Sequence, residues 1–517
     1  MELSKTKNTI KGLISGIFNK LVSLLGPFAL RTLIIYYMGI NYVGLNGLFS
    51  SILTVLSLTE LGFGSALVFS MYQPISENNK EKICALLNLY KKVYLIIGVA
   101  VLVLGCLVLP FLPMLIKDDS IPGDLNVYYL YLIYLLNSVL SYLILAYDSS
   151  LFSAFQRTDV ISNIQTSVYL VQYVLQALII IFLKNYYYYA IMVPIATALI
   201  NLIVAFFAKK NYPEYKPYGF LSKDELKAIK KQVVGLLFQR LAQASRNAFD
   251  SIIISAYVGL TAVGIYNNYF LILNALTGVL NVFWTSMQSG IGNSLILHSK
   301  QKNYEDMLKI NFLYMWISGW FSICFCILAQ TFMKLWVGEN LLLPFYTVVL
   351  MSIYFYGMKA TDTTTTYINS SGIWWICKYY YLVEALINLI LNILLGYFWG
   401  ILGVVLATII SILFDIISCS ILLFKHYFTN EKVSLFFLRN IFYFAITVVG
   451  EILSFFSCSW INFGTEKISY LLEFLAKFGF CLMIPNILYL LSYFKYDQFI
   501  VSKKWLASKI KSKKQRK

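Results

Sequence analysis

The sequence predicts an all-α polytopic membrane protein: about 14 transmembrane helices, arranged as two six-helix repeats plus two extra helices. Three observations carry this: a shortage of charge, a succession of apolar stretches of spanning length, and a one-sided distribution of lysine and arginine. Of 517 residues, 59% are hydrophobic, 17% aromatic and only 13% charged, where a soluble domain carries about 25% charged residues. A surface facing lipid needs that deficit, so a soluble enzyme is excluded. A chain this apolar and aromatic is not disordered either.

Fourteen apolar stretches are long enough to cross about 30 Å of hydrocarbon. They are 10–38, 42–70, 84–116, 127–152, 159–183, 187–208, 229–257, 262–296, 307–333, 344–368, 374–397, 401–424, 435–460 and 468–494. The first is too long for a signal-peptide core and lacks a small-residue cleavage site, so it is expected to be retained. An even count puts both termini on one side. That side then receives 31 lysines and arginines, against four (Lys117, Lys184, Lys334, Lys467) on the other. Such asymmetry marks the cytoplasmic side. It accounts for the net charge of +17 and leaves no need for a nucleic-acid partner. The tail from Lys503 to Lys517 is expected to touch anionic headgroups or to lie solvated.

A repeat organises the spans. Tyr37-Met38-Gly39-Ile40-Asn41-Tyr42-Val43-Gly44 returns 220 residues later as Tyr257-Val258-Gly259-Leu260-Thr261-Ala262-Val263-Gly264. At the same offset Phe18-Asn19-Lys20-Leu21 matches Phe238-Gln239-Arg240-Leu241, and Tyr169-Leu170-Val171-Gln172 recurs 212 residues on as Tyr381-Leu382-Val383-Glu384. The expected organisation is a six-helix lobe over 1–208, a basic cytoplasmic linker over 209–228 and a second six-helix lobe over 229–424. Two additional helices over 425–494 and a basic tail over 495–517 complete the chain. Parallel repeats of this kind rock about a central cavity to give alternating access, so the architecture points to a transporter.

Ionisable groups at membrane depth are costly and face a cavity or a partner. At 100° per residue, Lys20 and Arg31 share a face of the first helix, and Asn46 and Glu60 one of the second. Gln243, Arg246 and Asp250 form a stripe on the seventh beside Arg240, and Asn274 and Asn281 lie on one face of the eighth. These ten are the candidate substrate-binding residues. Arg246 and Asp250, four apart, also suit a neutralising pair; Lys20 and Arg240 suit snorkelling. The asparagine and glutamine stripes suit interhelical glue. Asp362, Glu384 and Asp415, with Lys359, form a more acidic group, a candidate coupling-ion site for H+ or Na+. The run Tyr186-Tyr187-Tyr188-Tyr189 suits an interfacial aromatic belt.

Eight scattered cysteines and two histidines, His298 and His426, assemble no zinc or haem site at usual spacings. With no Gly-Lys dipeptide there is no phosphate-binding loop for ATP. Neither HExxH nor GxSxG occurs. No enzyme activity and no cofactor are expected.

The two six-helix repeats plus two, the YxGxxxVG element and the cationic cavity positions together resemble the Wzx-like polysaccharide flippases. These belong to the multidrug/oligosaccharidyl-lipid/polysaccharide (MOP) exporter superfamily. The resemblance covers essentially the whole chain and is strongest over 10–95 and 230–310. It implies a two-lobed, MATE-like V and passage of undecaprenyl-diphosphate-linked oligosaccharide across the bacterial plasma membrane. Its partners would be that lipid-linked oligosaccharide, membrane lipids and other polysaccharide-assembly proteins. Of the family's cationic cavity positions, Lys20, Arg31, Arg240 and Arg246 match here, while Glu60 and Asp250 depart from a purely basic cavity. A cation-coupled exporter of small molecules or drugs from the same superfamily would share the fold. A membrane glycosyltransferase or polymerase would need a sizeable external loop, and the longest outer loops span only about ten residues.

Overall fold

The computed structural model describes residues 2–57, 63–117, 121–464 and 466–503. Sixteen α-helices and no strand occur among them. In chain order they are α1 (Glu2–Tyr37), α2 (Ile40–Leu56), α3 (Phe63–Ser76), α4 (Lys80–Val108), α5 (Val127–Leu143), α6 (Ser149–Ala154), α7 (Thr158–Leu178) and α8 (Tyr186–Asn211). Then follow α9 (Lys223–Tyr257), α10 (Leu260–Leu297), α11 (Lys300–Val337), α12 (Phe345–Ser371), α13 (Trp374–Trp399), α14 (Ile401–His426), α15 (Val433–Ser459) and α16 (Lys467–Tyr493). Every expected apolar stretch is helical, but two are not single helices. The stretch 42–70 contains α2 and α3, on either side of residues 58–62, which lie outside the described residues; 127–152 is divided between α5 and α6, whose axes bend by 52°. Leu145, left-handed at φ 47, sits at that bend.

Among the described residues ten helices are long and apolar enough to cross a membrane, or eleven spans if α5 and α6 count as one. At 17 residues α2 is apolar but short. Neither α9 nor α12 is among the ten, and these two hold many of the intramembrane polar candidates: Arg240, Gln243, Arg246 and Asp250 on one, Lys359 and Asp362 on the other. All eight cysteines are free, and seven of them are buried, as small hydrophobic side chains are. Leu95, Ile96, Val99, Leu102, Val103 and Leu107 on α4 stay exposed; in a membrane-spanning helix such a face meets lipid.

By internal packing the chain divides into two units, residues 1–267 and 268–517. The boundary falls within α10. In the first unit the core is centred on α2, where Leu45, Leu48 and Phe49 are fully buried and the Phe49 and Tyr131 rings meet edge-on at 5.5 Å. In the second, α13 packs along α14, and α11 is flanked by α12, α15 and α16.

The 220-residue repeat has a physical basis in the first unit. Gly39 ends α1 at φ 109 and donates its N–H to the Ile34 carbonyl at 2.9 Å; Gly259 ends α9 at φ 124 and donates to Ile254 at 3.0 Å. Both glycines adopt a region closed to most residues with a Cβ. The equivalent segments then touch one another reciprocally. A Cβ on Gly44 would strike the Leu260 carbonyl, and one on Gly264 the Ile40 carbonyl. Between them Thr261 Oγ1 donates to Asn41 Oδ1 at 2.6 Å, across a separation of 220 residues. Each repeat thus supplies the glycine that admits the other's backbone.

Candidate functional site

Arg31 lies in the apolar span Phe18–Tyr37 of α1, about 9 Å short of its end at 1.5 Å per residue. Its Nη1 donates to the main-chain carbonyl of Asn267, on α10, at 2.8 Å. The phenols of Tyr186 and Tyr189 lie within electrostatic range of the guanidinium. Tyr186 is buried; its hydroxyl donates to the Tyr42 carbonyl at 3.1 Å and lies 3.3 Å from the Tyr134 hydroxyl. Rings 186 and 189 stack with centroids 5.2 Å apart. The four-tyrosine run therefore splits. Tyr188 is 56% exposed, as a belt residue would be, and Tyr187 holds Asn126. Tyr186 and Tyr189, three apart on one helix face, turn inward to Arg31.

Along α9 the polar stripe does not share one environment. Gln239, Arg246 and Asp250 are buried, while Arg240 and Gln243 are exposed. Asp250 accepts a hydrogen bond from the Tyr266 hydroxyl at 2.7 Å. Lys20 is exposed on α1. Glu60 lies outside the described residues.

In the second unit Asn274 and Asn281 are exposed on α10. On α12, Lys359 pairs with Asp362 at 3.0 Å, and the Tyr314 hydroxyl of α11 donates to the same carboxylate. Glu384 on α13 and Asp415 on α14 are buried, and the Cys419 thiol lies 3.1 Å from Asp415 Oδ1. Among the described residues no three His, Cys, Asp or Glu side chains come together to hold a metal ion, so Asp362, Glu384 and Asp415 make no joint cage of that kind.

Sequence reasoning missed Tyr266, Tyr186 and Tyr189; it placed Asn267 on the polar face of the eighth helix, but not as a partner of Arg31. The Asn267 contact is through a main-chain carbonyl, which leaves no side-chain signal. The tyrosines did carry one: their i,i+3 spacing.

These helices, with a cation held inside an apolar span, agree with the comparisons. Residues 6–288 match the family described as Polysaccharide biosynthesis protein. The chain belongs to that family. No curated protein matches it. Among solved structures it resembles the lipid II flippase MurJ in an inward closed conformation, with TM-score 0.67 and 16% identity over 93% of this chain and 99% of that one. An inward-facing multidrug resistance MATE family transporter of the MOP superfamily gives 0.60 and 13%, over 80% and 97%. A Vibrio cholerae MATE transporter gives 0.56 and 15%, over 83% and 98%. At these identities the likeness is one of fold. The MurJ match leaves fewer residues uncovered than α15 and α16 contain, so it reaches into the helices beyond the repeat. The protein is thus a helical member of the polysaccharide biosynthesis family, with ten helices among the described residues long and apolar enough to cross a membrane, and it shares the fold of the MurJ and MATE structures.

Proposed function

We propose that this protein is a flippase that moves undecaprenyl-diphosphate-linked oligosaccharide, the repeat unit of a cell-surface polysaccharide, across the bacterial plasma membrane by alternating access. The observation that carries the reading is Arg31, inside the family match and inside an apolar span. Burying a guanidinium at that depth is costly, which marks a functional position. A guanidinium also meets phosphate oxygens bidentately, which an ammonium cannot do. The Asn267 carbonyl orients the fork, with the phenols of Tyr186 and Tyr189 within electrostatic range. Lys20, Arg240 and Arg246 of the same unit add positive charge, while Asn46 and Gln243 offer amides to sugar hydroxyls. The polyprenyl tail stays in the bilayer throughout, so only the polar head needs a path.

The test is export of surface glycan by cells that carry substituted protein at normal membrane levels. Arg31→Ala should stop export, and Arg31→Lys should restore only part of it. The buried acids Glu384 and Asp415 favour a second reading, a cation-coupled exporter. Normal glycan in Arg31→Ala cells, with loss only on neutralising Asp362, Glu384 or Asp415, would select that reading instead.

A further inference from the structure

Outside the residues considered so far, one buried acid stands in an unusual hydrogen-bond arrangement. Glu451 lies on α15, beyond both repeats, and is buried against α11 and α12. Its Oε1 is 2.8 Å from Ser352 Oγ of α12 and 3.3 Å from Ser322 Oγ of α11. Each serine oxygen also sits 2.8 Å from a main-chain carbonyl: Ser352 Oγ from Val349, Ser322 Oγ from Ser352. Four oxygen–oxygen contacts therefore share two hydroxyl hydrogens. Carbonyls donate nothing, and a serine hydroxyl donates once. An ionised Glu451 donates nothing either, so at most two contacts are filled at a time. A protonated Glu451 supplies a third hydrogen. Both serines then keep their carbonyls, and the acid donates along its 2.8 Å contact.

The surroundings agree with a neutral acid. No ion pair to Glu451 exists among the described residues, and the groups facing it are the Cys326 thiol of α11 and the Tyr489 phenol of α16. The charged groups on the packed helices are engaged elsewhere. Lys477 and Glu473 of α16 pair with each other and with Thr331. Lys359 pairs with Asp362 on α12, and Lys309 with Asp306 on α11. On α15 itself Arg439 faces Tyr304, and Asp415 of α14 faces Cys419. A carboxylate without a cation in a dry site is strongly disfavoured.

We propose that Glu451 is a proton-binding site. It carries its proton at neutral pH, and its O–H donates to Ser352 Oγ, fastening α15 to α12 and, through Ser322, to α11. The ligand is H+; losing it leaves a carboxylate with no ion pair among the described residues, which can only accept from the two serines at the expense of their carbonyl contacts.

Infrared difference spectroscopy on the full chain in lipid nanodiscs at pH 7 tests this. The wild type minus Glu451→Gln spectrum should show the C=O stretch of one hydrogen-bonded protonated carboxylic acid. Ser352→Ala, which removes the acceptor, should move that band to higher frequency. A carboxylate band in place of the acid band would overturn the proposal, as would an acid band that Ser352→Ala leaves unmoved. Should Glu451→Gln fail to reach the membrane, the Ser352→Ala shift, read on protein carrying carbon-13 glutamate, decides alone.

Discussion

Tyr266 and Asp250 show what a single hydroxyl contributes inside this protein. Asp250 is buried on α9 and accepts the Tyr266 hydroxyl at 2.7 Å. Tyr266→Phe keeps the ring and removes that donor, so it should cost about 1–3 kcal/mol, the price of under-satisfying a buried charged acceptor. Thermal unfolding in detergent micelles would read the loss, and an unchanged midpoint would mean that other contacts fully hold the carboxylate. Arg31 works differently, because the Asn267 carbonyl orients its guanidinium. Tyr189→Phe should leave stability nearly unchanged yet lower glycan export, since it removes a phenol that lies within electrostatic range of the guanidinium. Export equal to wild type would assign Tyr189 to packing alone.

Elements are set by backbone chemistry at their ends. Gly39 and Gly259 close α1 and α9 in the same left-handed conformation, so Gly39→Ala and Gly259→Ala should each destabilise by about 1–3 kcal/mol, the cost of strained backbone. Matching unfolding shifts in the two variants would express the repeat as energy; a cost at only one site would deny the equivalence. The segment 209–228 is tied to α4 as well. Asn88 donates to the Gly219 carbonyl at 2.8 Å, and Lys82 pairs with Glu225 at 2.7 Å. Lys82, then the Ser222 N–H and hydroxyl, hold the Glu225 carboxyl down to about 2. With a depressed carboxyl, the stabilising contribution is complete above the ordinary value of about 4.3 and disappears as pH falls toward about 2. Both groups are partly exposed, so the contribution is at most about 1 kcal/mol and weakens with salt. Amide exchange in 209–228, corrected for its intrinsic pH dependence, should show less protection at pH 3 than at pH 6. Glu225→Gln should abolish that difference; an unchanged difference would place the pH sensitivity elsewhere.

At the scale of the whole molecule the charge asymmetry makes a topological prediction. Reporters fused after Lys517 and within 209–228 should both read cytoplasmic, and one within 118–124 should read external. Opposite sides for the first two would break the even count between them and, with it, the parallel repeat. The neighbouring structures share the fold over 80–93% of this chain at 13–16% identity. At that identity what the chain shares with them is the fold.

The sequence by itself determined that the chain is helical, with helices of membrane-spanning length, and where those apolar helices fall; the two six-helix lobes remain its expectation. Apolar length, lysine and arginine placement and the Gly39/Gly259 spacing are local properties, and each acts within a few turns of chain. It also picked out Arg31, because a guanidinium in an apolar run is conspicuous without any partner in view. The tertiary structure alone decided what meets what. It divided the polar stripe of α9 into buried and exposed members and turned Tyr186 and Tyr189 from a supposed belt toward Arg31. It engaged Asp362 with Lys359 and Tyr314, and it gathered Ser322, Ser352 and Glu451 from three helices. Contacts such as Arg31 with the Asn267 carbonyl join residues 236 apart, through a main-chain group that every residue carries. No periodicity can announce them, because they depend on how helices cross in three dimensions.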